Sequence, residues 1–244
     1  MDLNERVALV TGGARMGADI GEFLAKKGCD VCFTYRNSRK AALADVKVVQ
    51  RQGRRSIAVH ADMSQTSNVK RAIGTVIKQF GRLDILVNMA SVYFETPWKE
   101  LNEKNWNSMM DANLKSVYLS VLAAAPYLKR SKGRVVNVTD WLSVSGRPRY
   151  KNFVPYYTAK TGVLGLTQAQ ALEMAPHVLV NAIAPGPILP PSKISKAQVN
   201  EVKKSTPLGR WGGAKEIAKA VVFLCETDFV TGESIRVDGG RHLY

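Results

Sequence analysis

Seven short apolar runs alternate with longer amphipathic ones along this chain, and that alternation leaves few folds open to it. The apolar runs are Val7 to Val10, Val31 to Tyr35, Ser56 to Val59, Leu83 to Val87, Val135 to Val138, Leu179 to Ile183 and Ile235 to Val237. Each is rich in Val, Ile or Leu with little polar alternation, as strands covered on both faces must be. Between them, Ala18 to Lys27, Val69 to Phe80, Trp106 to Leu128, Ala159 to Met174 and Ala214 to Cys225 read as helices. Strand, helix, strand repeated in this way predicts an α/β chain with one doubly wound parallel sheet and helices on both faces. No repeat, low-complexity stretch or linker divides the 244 residues, so a single domain over 1–244 is expected. The one irregular stretch, residues 182–198, holds four prolines and predicts no regular structure until about Ser192; a substrate lid is expected near 187–205.

Composition removes several function classes. No apolar run approaches the roughly 18–20 residues of a membrane span, and the start, MDLNERVALV, lacks a secretory pattern, so a cytoplasmic protein without membrane attachment is expected. Cys29 and Cys32 have a C-x-x-C spacing, but they flank a strand pattern in which side chains three apart face opposite ways. They read as core cysteines, with no metal site. The net charge of +15 calls for an anionic partner or a solvated basic surface. Because Arg36, Lys70, Arg130, Lys151 and Lys203 are scattered, nucleic acid is not the expected partner; a small molecule and a phosphate pocket are.

VALVTGGARMG, residues 7–17, is a strand, a glycine-rich turn and a helix start. Glycines at Gly12 and Gly17 let the backbone approach a pyrophosphate, whose charge the helix N-terminus favours. Here the chain resembles the short-chain dehydrogenase/reductase family, whose turn reads TG-x3-G-x-G, and that resemblance implies a Rossmann-type sheet. Met16 replaces the middle glycine and the turn is one residue short. In such a sheet a carboxylate ending the second strand would accept from the ribose of NAD. This chain has Tyr35 there, followed by Arg36, Asn37 and Ser38, with Arg15 in the first turn; these suit a 2′-phosphate, so NADP(H) is the expected cofactor. The resemblance further implies cofactor contacts at Asp62 and Met63, at Asn88 and Ala90 of NMAS, and at Pro185, Gly186 and Ile188 of PGPI.

Tyr156 and Lys160 match the family's Y-x3-K. Four residues apart, they share a helix face, so the ammonium is expected to lower the phenol's pKa and make it a proton donor. Tyr157 is expected to face away. Asn113 matches the family asparagine held to link lysine to solvent through a water, or is a surface residue. Aligned on the strand RVVNVTD, the family's substrate-holding serine is Asp140; counted back from Tyr156 it is Ser143, the difference being a short insertion at residues 147–153. The strand register favours Asp140.

An aspartate beside the phenol suits reduction of a ring C=N. With TGGAR, NMASVY, NVTDW and VDGGRHL, it makes the chain resemble the pteridine reductase branch. That resemblance implies a substrate site of Arg15, Ser91, Tyr93, Asp140 and Tyr156, with Tyr93 stacking on the pterin unless it is a core aromatic. The alternative is a carbonyl reductase such as one acting on 3-oxoacyl groups of an acyl carrier protein; a non-catalytic dinucleotide sensor is the reading from another class. The resemblance implies a homotetramer, as is common in the family, and apolar residues on more than one face of the helices within 103–130 and 156–174 are consistent with such a buried interface.

Overall fold

The computed structural model describes residues 1–191 and 194–243. Its strands are β1 (Val7–Thr11), β2 (Asp30–Tyr35), β3 (Ser56–His60), β4 (Ile85–Asn88), β5 (Arg134–Val138), β6 (Leu179–Pro185) and β7 (Ser234–Val237). The helices are α1 (Gly17–Lys26), α2 (Arg39–Arg51), α3 (Thr66–Phe80), α4 (Glu103–Met110), α5 (Ser116–Ser131), α6 (Trp141–Ser145), α7 (Val154–Met174), α8 (Lys196–Lys204) and α9 (Ala214–Glu226). The strands form one seven-stranded sheet in the order β3-β2-β1-β4-β5-β6-β7. All its pairings are parallel. The doubly wound α/β architecture read from the alternation is therefore the one observed, with the strand order reversing between β1 and β4. Among the described residues no helix is long and apolar enough to cross a membrane.

The two-residue period of a strand divides the core. Ala8 and Val10 face Ile20 and Leu24 of α1, Val49 of α2 and Val221 of α9. Val7 and Leu9 face Val69 and Ile73 of α3 and Leu128 of α5. Each such aliphatic side chain taken fully out of water contributes about 1.5–3 kcal/mol. Cys29 belongs to the first cluster and Cys32 to the second, so the two thiols lie on opposite faces of the sheet.

Three expectations about the elements are corrected. The fourth strand begins at Ile85 rather than Leu83; Asp84 just before it accepts through its carboxylate from Val7 N at 2.9 Å and from Arg82. The helix expected over 106–128 runs over 103–131 but widens to a π-helical turn at Asp111–Lys115. The irregular stretch 182–198 is shorter than expected. Its first residues complete β6 through Pro185, and Ser195 caps α8 in a capping box with Gln198. Pro185 is tolerated because pairing with β5 ends at Ile183, so the missing N–H removes no ladder bond. Of the expected lid, Ser192 and Lys193 lie outside the described residues, as does Tyr244 of the expected 1–244 domain.

Candidate active site

The carboxyl ends of the strands open into a cleft of about 1450 Å³, centred where the strand order reverses between β1 and β4. In open α/β sheets this is where ligands bind, because the loops on either side diverge there. The tips of β1 and β4 are fastened by Thr11, whose Oγ1 accepts from the backbone N–H groups of Met89 (3.1 Å) and Ala90 (3.2 Å). Gly12 follows at φ +67°, and a Cβ on it would lie 2.8 Å from Ala90 Cα, so only glycine fits this approach. Gly186 is similarly constrained: a Cβ there would lie 2.5 Å from Asp238 Cβ.

At the β2 side, Tyr35, Arg36, Asn37 and Ser38 form the rim of the cleft. The Arg36 guanidinium lies 3.7 Å from Asp62, whose Oδ1 accepts from Ser64 N and Oγ. Burial raises the Asp62 pKa, but the Ser64 hydrogen bonds and Arg36 outweigh it, so this carboxyl is held below its usual range. Met16 offers no side-chain cap to α1, leaving its first N–H groups without one at the cleft. Arg15 donates from Nη2 to the carbonyls of Leu189 (2.7 Å) and Pro190 (3.1 Å). The guanidinium expected at phosphate and substrate thus ties the first turn to the segment after β6.

At the β5 side, Asp140 stands two residues beyond the strand and caps α6, its Oδ1 accepting from Leu142 N at 2.9 Å. Its Oδ2 accepts from the Tyr156 hydroxyl at 3.2 Å. Ser143 Oγ is buried without a hydrogen-bond partner among the described residues, so of the two candidates the aspartate is the one touching the phenol. Lys160, 3% exposed one turn along α7, donates to Val138 O at 2.8 Å and lies 5.9 Å from the Tyr156 ring centroid. Here the sequence expectation is corrected. Burial, then the Asp140 charge, push the phenol well above its ordinary pKa. Burial also lowers Lys160 to about 8, against the pull of Asp140, and raises Asp140 against Leu142 N–H and Lys160. The phenol therefore stays protonated, because a dry pocket outweighs a cation that is bonded to a carbonyl. Tyr157, expected to face away, also lines the cleft.

Tyr93 is no core aromatic: it is 55% exposed. It stacks on Phe153 with centroids 4.7 Å apart and meets Tyr156 edge-on at 4.8 Å. Phe153, with Arg149 and Tyr150, comes from the insertion at 147–153, whose role in the cleft wall was missed. The aromatic run F-x-x-Y-Y was its only sequence signal. Asn113 sits in the π-helical turn and is fully buried, not a surface residue. Its Oδ1 accepts from Ser91 Oγ at 2.6 Å and its Nδ2 donates to Val92 O at 3.1 Å and Met109 O at 3.0 Å. It thereby pins the segment that carries Tyr93. Arg15, Met16, Met63, Ala90, Ser91, Pro185, Gly186 and Ile188 line the cleft, whereas Gly17, Asn88 and Asn113 lie behind its wall. Asn88 turns into the sheet, donating to Asn137 Oδ1 at 2.9 Å.

Such a cleft, with a phosphate-suited rim at one end and a protonated phenol at the other, defines an oxidoreductase of the α/β class. Comparison with known proteins gives the family. A model described as enoyl-(acyl carrier protein) reductase matches residues 13–242. The 3-oxoacyl-[acyl-carrier-protein] reductase FabG of Staphylococcus aureus is 35% identical, over 97% of this chain and 98% of that one. Two solved structures superpose closely. A short-chain dehydrogenase/reductase from Serratia marcescens has a TM-score of 0.92 at 30% identity, covering 99% of this chain and all of that one. A blue fluorescent protein from a metagenomic library, in complex with NADPH, has a TM-score of 0.90 at 31% identity, covering 99% of each chain. The chain belongs to the short-chain dehydrogenase/reductase family of oxidoreductases. The relatives' names favour carbonyl reduction over the pteridine reductase branch expected from the sequence.

Proposed function

We propose that this protein is an NADP(H)-dependent reductase of carbonyl compounds, with 3-oxoacyl thioesters of an acyl carrier protein as its substrate class. The observation that carries the reading is the Tyr156 hydroxyl, kept protonated in the same cleft whose far rim is cationic. The residues present fit the dinucleotide: Gly12, Gly13 and the start of α1, which has no side-chain cap, face the cleft, and Arg36, Asn37 and Ser38 stand where a carboxylate would reject a 2′-phosphate. A related structure holds NADPH. Bound there, the nicotinamide supplies the hydride. Tyr156 gives its proton to the developing oxyanion, and Lys160, which carries charge below about pH 8, stabilises the phenolate left behind. Asp140 orients the Tyr156 hydroxyl through their hydrogen bond. The 35% identity to a carrier-protein reductase supports the substrate class, and a net charge of +15 suits an acidic carrier.

A second reading, reduction of a pterin or dihydrofolate-like ring, rests on Asp140. A carboxyl with a raised pKa beside the phenol can return a proton to it, which reduction of a ring nitrogen needs. Purified protein with NADPH should be offered acetoacetyl thioester, dihydrobiopterin and dihydrofolate while absorbance loss is followed. Turnover confined to the pterins would overturn the first reading; turnover confined to the thioester would remove the second. On the first reading, Asp140→Ser raises kcat/KM for the thioester about tenfold, because a neutral hydroxyl hydrogen-bonds a carbonyl that a carboxylate repels. An unchanged or lower value speaks against it. The reading includes a single cytoplasmic domain that acts as a homotetramer. Exposed Tyr118 and Leu122 on α5 and Leu172 on α7 support that assembly, and light scattering on the purified chain measures it.

A further inference from the structure

We propose that Asp45 is an affinity-tuning residue of the dinucleotide site, a carboxyl set beneath the glycine turn that ties the binding of phosphate-bearing ligands to its own protonation. The inference rests on the dinucleotide reading above. Helix α2 buries Ala42, Asp45, Val46 and Val49, the i, i+3, i+4, i+7 stripe of a helix packed on a core. Asp45 takes a place in that stripe where a hydrophobe would be ordinary. It is 6% exposed, lines the cleft, and its Oδ2 is buried with no hydrogen-bond partner among the described residues. The carboxyl presses against the turn itself. A Cβ on Gly17 would lie 2.6 Å from Oδ2, and one on Gly13 3.3 Å away. The Gly17 N–H is already given to Gly13 O at 2.7 Å, so this N–H does not serve the carboxylate.

The charged groups around Asp45 do not neutralise it. Helix α1 presents Asp19, which adds negative charge; β2 presents the Phe33 ring. Of the nearby cations, Arg15 is bonded to the carbonyls of Leu189 and Pro190, and Arg36 faces Asp62. Burial, and then Asp19, push the carboxyl up to about 6. Near neutrality it changes charge beneath the backbone that receives phosphates. Neutral, it is a polar filler of the apolar stripe; ionised, it repels the phosphates through a poorly solvated wall.

The test is equilibrium titration of the full chain with NADPH and with NADH between pH 5.5 and 8.5, in wild type, Asp45→Asn and Asp45→Val. The ligand's own 2′-phosphate also ionises in this range, but it does so equally for all three proteins. The ratio of wild-type to variant Kd therefore isolates Asp45. That ratio is expected to rise from about one at pH 5.5 to about ten at pH 8, for both nucleotides. A ratio that stays near one at every pH overturns the inference and leaves the dinucleotide reading standing. Failure of the wild type to bind either nucleotide overturns both. Thermal unfolding supplies a second readout. A carboxyl whose folded pKa lies above its unfolded value loses stability as pH rises from about 3.8 to about 6 and no further beyond that, so the gain in Tm of both variants over wild type is expected to be full at pH 8, smaller at pH 5 and least at pH 4. Equal Tm at pH 8 would mean the carboxyl is not held dry, which also overturns the inference.

Discussion

Tyr156→Phe is expected to lower turnover about a thousandfold while NADPH affinity stays within about twofold, the range of loss associated with removing a positioned general acid. The ring should remain in place: Tyr93 meets its edge at 4.8 Å and Phe153 lies 6.5 Å from it, and neither contact uses the hydroxyl. Only the O–H is lost, and with it the donor to Asp140 Oδ2. Pre-steady-state measurement with NADPH in excess separates binding from chemistry. A variant retaining a tenth of wild-type turnover would transfer the proton-donor role from Tyr156 to Asp140, the other acid within reach.

Gly12→Ala should damage the other end of the cleft as severely. At φ +67° any side chain costs about 1–3 kcal/mol. The added Cβ would also stand 2.8 Å from Ala90 Cα and 3.1 Å from Ala90 N, backbone atoms that cannot swing aside. Relief requires the tips of β1 and β4 to part, against the two bonds that Thr11 Oγ1 holds across them. Together these predict a loss of about 2–4 kcal/mol, read as a Tm lower by roughly 5–15 °C for a domain of this size, and NADPH binding weakened about a hundredfold. Gly74→Ala is the control. Within α3 its Cβ would meet nothing within 4 Å, so helix propensity alone predicts a small gain in Tm. If Gly12→Ala binds NADPH as wild type does, the close approach at the strand tips is not part of the cofactor site.

The architecture was legible because burial on both faces leaves a mark that survives in one dimension. Strands such as β1 and β5 are buried at all five positions and so are rich in Val with little polar alternation. The helix pair α4 and α5 was legible as helix for the same reason, but its π-helical turn was not. One extra residue in a turn barely disturbs the spacing of apolar positions, although it turns Asn113 inward to Ser91 and Val92. At the chemical end, the four-residue spacing placed Tyr156 and Lys160 on one helix face. It said nothing of Val138 O, which takes the Lys160 ammonium, or of the burial that reverses the expected shift of the phenol.

Sequence alone determined what is periodic or local: a parallel α/β sheet, a glycine turn after β1, a cationic rim after β2, and a tyrosine–lysine face on α7. Tertiary structure decided everything that depends on residues distant in the chain meeting in a dry space. It brought Asp140 rather than Ser143 to the phenol, Phe153 to Tyr93, Arg15 to the carbonyls after β6, and Asp45 beneath Gly17. The reason is that a charge or proton is governed by local dielectric and by the partners within about 4 Å, and neither is encoded in spacing along the chain.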